Sequence, residues 1–296
     1  MPLLRVAPFV ALLVLSAHAP AQELLTAADL QALPDAPPDH TISYGPADQN
    51  FGHLYLPDGP GPHPVVAFIH GGCFLSAFDI THTASLSRAV ADAGYAVWSV
   101  EYRRVGDEGG GWPNTFDDVG RAVDHLRHLA LVHDLDLDRL VVAGHSAGGT
   151  LALWAAARSR IPESSPLYVA DPLRPSAVFG LAAVGDLEAV HMQGSCGNVV
   201  DRLMGGGPVE VPERYAAASP MQLVPLDVPV VSLVGSRDPW TPPSVSWVHR
   251  ARAVGMDEIR LVELPRSGHF EMIAPATPTW SSVMRALHET FGGLGR

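Results

Sequence analysis

Short, continuously apolar runs alternate along most of the chain with longer stretches in which apolar residues recur every three or four positions. The runs cover 64–69, 96–100, 140–143, 178–181, 230–234 and 259–262. Because they are continuous rather than alternating, they fit strands of a mainly parallel sheet buried on both faces. Pro229 precedes the fifth run, a position where a strand tolerates proline. Helical periodicity covers about 82–93, 115–133, 147–159, 244–254 and 278–291. In the second of these, Phe116, Val119, Val123, Leu126 and Ala130 share one face, and Asp117, Asp118, Arg121 and Arg127 fall elsewhere. Thr115 followed by Asp118 predicts a capping box at its start, with an acid in the usual glutamate place. The alternation predicts an α/β domain over 41–296, with helices on both faces of the sheet.

Three segments break this rhythm. Residues 22–40 form a proline-rich arm with little periodicity, expected to be a connecting segment. Residues 186–226, with Gly205-Gly206-Gly207, Pro208, Pro212 and Pro220, predict a cap-like insertion over one end of the sheet. Residues 1–21 hold Arg5, an apolar run from Val6 to Leu15, and the small residues Ala19 and Ala21 before Gln22. That is the pattern of an export signal cleaved after Ala21. An apolar run of this length spans roughly half of a hydrocarbon core, too little for an anchor. The predicted location is therefore outside the cytoplasm, periplasmic or secreted. No second apolar stretch is long enough to span a membrane.

Composition narrows the chemistry. The 296 residues carry a formal net charge of −12, and all 19 basic residues are arginine. Without lysine there is no P-loop lysine, no Schiff base and no Ser-x-x-Lys pair, so catalysis falls to Ser, His, Asp, Glu or Cys. An acidic chain with no basic cluster argues against nucleic acid as a partner. Two cysteines, Cys73 and Cys196, would meet an oxidising compartment after export. They can pair, or stay separate buried thiols, or Cys73 can act as a nucleophile; sequence separation does not choose among these.

The strongest chemical signal is Gly144-His145-Ser146-Ala147-Gly148, between the 140–143 strand and an apolar helix. A strand-to-helix turn this sharp strains its central residue and requires very small neighbours, here Gly144 and Gly148. Ser146 then projects above a helix N-terminus that favours developing negative charge. At the end of the 64–69 strand, His70-Gly71-Gly72-Cys73-Phe74 has the form of an oxyanion loop. The expected donors are the N–H groups of Gly72, Cys73 and Ala147, with Gly71 shaping the turn and His70 bracing it. Among 14 histidines, His269 lies on a loop after the last strand, where the order Ser, acid, His puts the general base. His125, His128 and His133 belong to a helix surface. The acid expected to orient His269 is Asp238, on the loop after the 230–234 strand, with Asp186, Asp227 and Glu263 as rivals. Phe74, Trp112, His145, Trp240 and Phe270 neighbour these motifs and are candidates for the substrate pocket.

These residues resemble the α/β-hydrolase superfamily across essentially the whole chain after the signal. His70-Gly71-Gly72, Glu101-Tyr102-Arg103-Arg104, Trp112-Pro113 and Gly144 to Gly149 look like the esterase, arylformamidase (kynurenine formamidase-like) and feruloyl-esterase group. The resemblance implies an α/β-hydrolase fold and a Ser146-His269-Asp238 hydrolase of small-molecule carboxylic esters, with no metal and no organic cofactor. It also implies that Glu101, Tyr102, Arg103, Arg104 and Trp112 brace the oxyanion loop. Cys73 replaces the third glycine of the hormone-sensitive-lipase relatives. An amidase with the same machinery and a non-catalytic binding protein on this scaffold are the alternatives. Oligomeric state is open.

Overall fold

The computed structural model describes residues 23–34 and 36–294. The expected export signal, 1–21, lies outside the described residues. Eight strands form one sheet: β1 (His40–Ser43), β2 (Phe51–Tyr55), β3 (His63–Ile69), β4 (Ala96–Val100), β5 (Leu135–His145), β6 (Ala177–Leu181), β7 (Val230–Gly235) and β8 (Ile259–Leu264). Their spatial order is β1-β2-β4-β3-β5-β6-β7-β8. The pairs β1·β2 and β2·β4 are antiparallel, and the other pairs are parallel. The six apolar runs are β3 to β8. Neither β1 nor β2 stands out in the hydrophobic pattern: β1 is a largely exposed edge strand, and in β2 Gly52 and His53 precede the buried Leu54 and Tyr55.

Ten helices accompany the sheet among the described residues: α1 (Ala27–Gln31), α2 (Ala84–Asp92), α3 (Asn114–Asp124), α4 (Leu126–His133), α5 (Ala147–Ala156), α6 (Leu187–Met192), α7 (Ser195–Met204), α8 (Pro212–Ala218), α9 (Thr241–Ala253) and α10 (Trp280–Gly293). Continuous apolar strands feed two cores at once. Val65, Ala67 and Ile69 of β3 meet Phe116 of α3, Leu151 of α5 and Trp247 of α9 on one face. Val66 and Phe68 meet Leu86 of α2 and Leu287 of α10 on the other. No helix among the described residues is long and apolar enough to cross a membrane.

Three expectations change. The single helix over 115–133 is two abutting helices, α3 and α4, that keep one apolar face. The capping box at Thr115 does not form, because α3 starts at Asn114 and puts Thr115 inside its first turn. The Thr115 hydroxyl donates to Arg103 O at 2.6 Å, and Asp118 takes the Arg103 guanidinium through both oxygens at 2.6 and 2.7 Å. The proline-rich arm is more than a connector. It carries α1, capped by Thr26 and Asp29, and buries Leu30 in the second core.

The 186–226 segment folds as α6, α7 and α8 and packs on the first core. Trp154 Nε1 donates to Ala217 O at 2.9 Å, and the Trp112 N–H donates to Leu203 O at 2.7 Å. Both bonds tie the insertion to the sheet domain.

Candidate active site

Ser146 sits where β5 ends and α5 begins, with φ 55° and ψ −122°. A non-glycine residue in this region costs on the order of 1–3 kcal/mol, so its surroundings must impose it. They do so by close approach: a Cβ on Gly148 would lie 2.1 Å from the Ile69 carbonyl oxygen, so only glycine fits. The Ser146 N–H donates to Leu181 O at 2.8 Å, fastening the turn to β6. The Ser146 hydroxyl makes no hydrogen bond among the described residues and stands above the α5 N-terminus.

The loop after β3 crosses beside this turn. Gly72 has φ 113°, and a Cβ there would lie 2.4 Å from Phe78 Cβ. Cys73 and Phe74 follow with φ 54° and 57°. Among the described residues, the N–H groups of Gly72, Cys73 and Ala147 donate to no protein acceptor. They remain available to an oxygen placed beside Ser146.

His70, which is fully buried, braces this loop. Its Nδ1 contacts Gly71 O at 2.8 Å, and its Nε2 contacts Glu101 Oε1 at 3.1 Å. The Tyr102 ring stacks on it, and the Tyr102 hydroxyl donates to the His70 carbonyl at 2.8 Å. Glu101 also accepts from the Ile80 and Tyr102 N–H groups and pairs with Arg104 at 3.1 Å. Burial pushes the Glu101 carboxyl up, but His70 and Arg104 outweigh it and hold it below the usual carboxylate range. Glu101 and Tyr102 thus contact His70 directly and Arg104 reaches it through Glu101, whereas Arg103 pairs with Asp118 instead.

His269 Nδ1 and Asp238 Oδ2 are 2.8 Å apart, and Asp238 is 4% exposed. Since a carboxylate only accepts, Nδ1–H donates and Nε2 is left as the basic nitrogen of a neutral ring. The second Asp238 oxygen accepts the Trp240 N–H at 2.8 Å, which fixes the carboxylate. His145 Nε2 lies 2.9 Å from the His269 carbonyl oxygen, so it donates there. Burial, with the neighbouring His269, pushes His145 well below the ordinary histidine value and keeps it neutral. The rival acids are engaged elsewhere. Asp186 caps α6 and pairs with Arg250, Asp227 pairs with Arg160, and Glu263 is exposed on β8.

Ser146 borders two cavities. The larger, about 260 Å³, also contains His269, His145, Trp240 and Phe270. The smaller has room for about 20 Å³ and contains Phe74, Ala147 and Trp240. Of the expected pocket residues only Trp112 lies outside both; its ring packs against Phe116, at 6.0 Å between centroids. Cys73 and Cys196 form a disulfide that borders the smaller cavity, so Cys73 offers no free thiol. Cys196 meets it from a left-handed turn, Cys196 to Asn198, at the start of α7.

Several site residues carry no sequence signal. Leu30 and Gln31 of the arm, Phe78 and His82 line the larger cavity, and Leu187, Val190 and Val199 line the smaller. Burial, with a contribution from His70, lowers His82 to about 4. Glu271 is visible in retrospect as a carboxylate in the apolar run Phe270 to Ala274. Among the described residues no group of three or more His, Cys, Asp or Glu is arranged to hold a metal ion.

The BD-FAE family matches residues 53–251, roughly two thirds of the 296 residues. The chain belongs to the BD-FAE family. Curated proteins resemble this BD-FAE protein over differing shares of its length. Esterase LipC of Mycobacterium tuberculosis is 29% identical over 239 residues, covering 77% of this chain and 59% of LipC. The BD-FAE chain therefore spans less than two thirds of that relative. Kynurenine formamidase avaC of Aspergillus versicolor is 38% identical over 93 residues, 30% of each chain. Among solved structures, Esterase B from Lactobacillus rhamnosis, inhibited by a tributyrin phosphonate, superimposes with a TM-score of 0.78 at 22% identity, covering 90% of each chain. These likenesses make the fold of the BD-FAE protein that of the α/β-hydrolase esterases.

Proposed function

We propose that this BD-FAE protein is an exported serine hydrolase that cleaves carboxylic esters through an acyl-enzyme. The observation that carries the reading is that His269, on the wall of the cavity that Ser146 also lines, is held by the buried Asp238 at 2.8 Å. His269 Nε2 takes the Ser146 proton, and Oγ attacks the ester carbonyl carbon. The resulting oxyanion is held by the N–H groups of Gly72, Cys73 and Ala147, with the α5 N-terminus behind them. His269 then protonates the alkoxide oxygen, the alcohol leaves, and water repeats the sequence to free the acid. Asp238 keeps the ring in the productive tautomer and stabilises its cationic form.

Matches to mycobacterial esterases support the ester reading. The signal-like 1–21 and the Cys73–Cys196 disulfide support export, since disulfides persist in oxidising compartments. The partial match to kynurenine formamidase favours one second reading, cleavage of an N-formyl arylamine by the same groups. The test is turnover of p-nitrophenyl acetate and N-formylkynurenine by wild type and Ser146→Ala. A serine hydrolase loses on the order of 10⁴-fold or more in kcat without its nucleophile. Full activity in Ser146→Ala, or no labelling of the wild type by a fluorophosphonate, would overturn the reading.

A further inference from the structure

The two cavities beside Ser146 are not equivalent, and the position of His269 distinguishes them. In acylation the bond from Ser146 Oγ to the carbonyl carbon forms, the bond from that carbon to the alcohol oxygen breaks, and the serine proton passes through His269 to that oxygen. The leaving oxygen must therefore come within hydrogen-bond reach of His269 Nε2. His269 lines the larger cavity and is absent from the walls of the smaller. The alcohol part consequently occupies the larger space, and the acyl part extends to the other side of Ser146.

That other side is narrow. The smaller cavity is lined by Val184, Leu187, Val190 and Val199 and by the Cys73–Cys196 disulfide. About 20 Å³ holds roughly one water-sized group. The larger cavity, about 260 Å³, is walled by Leu30, Phe78, Trp240 and Phe270. We propose, resting on the hydrolase reading above, that this enzyme is selective for formyl- to acetyl-sized acyl groups on bulky, apolar or aromatic leaving groups. Acyl size is set by the insertion residues and by the disulfide that holds them to the oxyanion loop. A feruloyl acyl group, which the sequence resemblance admits, does not fit this arrangement. Because Cys196 belongs to the insertion and Cys73 to the oxyanion loop, the bridge keeps the acyl side from widening by movement of either.

The experiment measures kcat/KM for p-nitrophenyl acetate, butyrate and hexanoate, and for ethyl, phenyl and 1-naphthyl acetates. Each methylene misfit is worth roughly 10-fold or more, so hexanoate, four methylenes longer than acetate, should fall about 10⁴-fold or more below it. The naphthyl ester should be at least as good as the phenyl ester. In Val190→Ala and in Cys196→Ser, the hexanoate-to-acetate ratio should rise about ten-fold, a change in selectivity that mere loss of stability does not produce. A wild type that turns over hexanoate as well as acetate, or variants that leave the ratio unmoved, overturn the assignment while leaving the hydrolase reading intact. No ester turnover and no fluorophosphonate labelling overturn the hydrolase reading itself, and this inference with it.

Discussion

Glu271 Oε1 accepts the Leu25 N–H at 2.7 Å, joining the N-terminal arm to the loop that carries His269. The other oxygen accepts the Gly268 N–H at 2.8 Å, one residue before His269. Glu271 is 1% exposed, so a buried carboxylate holds two backbone donors from distant parts of the chain. Glu271→Ala leaves both donors unpaired and should cost about 2 kcal/mol or more in a denaturant titration. It should also lower kcat, because the backbone before His269 loses its support. Glu271→Gln, which keeps one acceptor oxygen, should recover part of both losses.

Glu101 has a comparable part under the oxyanion loop. It accepts from His70 Nε2, Arg104 and two backbone N–H groups. Removing one member of a buried ion pair costs up to about 3–5 kcal/mol; Arg104 keeps Asp107 at 3.2 Å, but the His70 ring and two backbone N–H groups lose their acceptor. Glu101→Ala should therefore unfold at a much lower denaturant concentration. Glu101→Gln should fold better yet still show reduced kcat with little change in KM, as expected if loop position matters chiefly to the oxyanion. An unchanged kcat in both variants would separate this cluster from the oxyanion donors.

The disulfide closes a loop with a sequence separation of 123. Constraint of the unfolded chain by a bridge of this span is worth about 5 kcal/mol in the chain-entropy relation, and measured bridges typically contribute about 2–4 kcal/mol. Cys196→Ser should lower the denaturation midpoint accordingly, and dithiothreitol should lower that of the wild type but not of the variant. Intact-mass measurement should find no thiol open to alkylation before reduction and two after it.

His82 gives the fold a specific acid sensitivity. Its Nδ1 contacts the Asp79 carbonyl, and burial lowers its pKa to about 4. Above about pH 6.5 the ring is neutral folded or unfolded, and it contributes no pH dependence. Between about 6.5 and 4 the unfolded chain binds the proton and the folded chain does not. Stability therefore falls with pH across this window, by at most about 3 kcal/mol once pH is below 4. His82→Gln should show a smaller loss of urea stability than wild type between pH 7.5 and 4.5. Parallel losses would show that His82 is not the group responsible.

The strand runs and the Gly144-His145-Ser146-Ala147-Gly148 turn were legible because their physics is local. A strand buried on both faces must be apolar at successive positions, and a backbone turning from β5 into α5 leaves no room for a Cβ at Gly148. The loop positions of Asp238 and His269 follow from chain order around a parallel sheet, where side chains gather at the strands' C-terminal ends. Thr115 shows the limit of such reading. Its spacing to Asp118 satisfied a capping pattern, but Arg103 offered both residues stronger partners once β4 and α3 were packed together.

By itself the sequence determined the layered α/β architecture, the residues offered at the turn after β5 and the loop after β3, and the exclusion of lysine chemistry. Only the tertiary structure decided that Cys73 meets Cys196, that α1 of the arm walls the larger cavity, and that Ser146 stands between a narrow space and a wide one. Strand pattern and turn chemistry act over a few residues. Pocket volume, by contrast, is set by side chains from the arm, the oxyanion loop and the insertion. Their meeting depends on how separate elements pack, and no stretch of neighbouring residues encodes it.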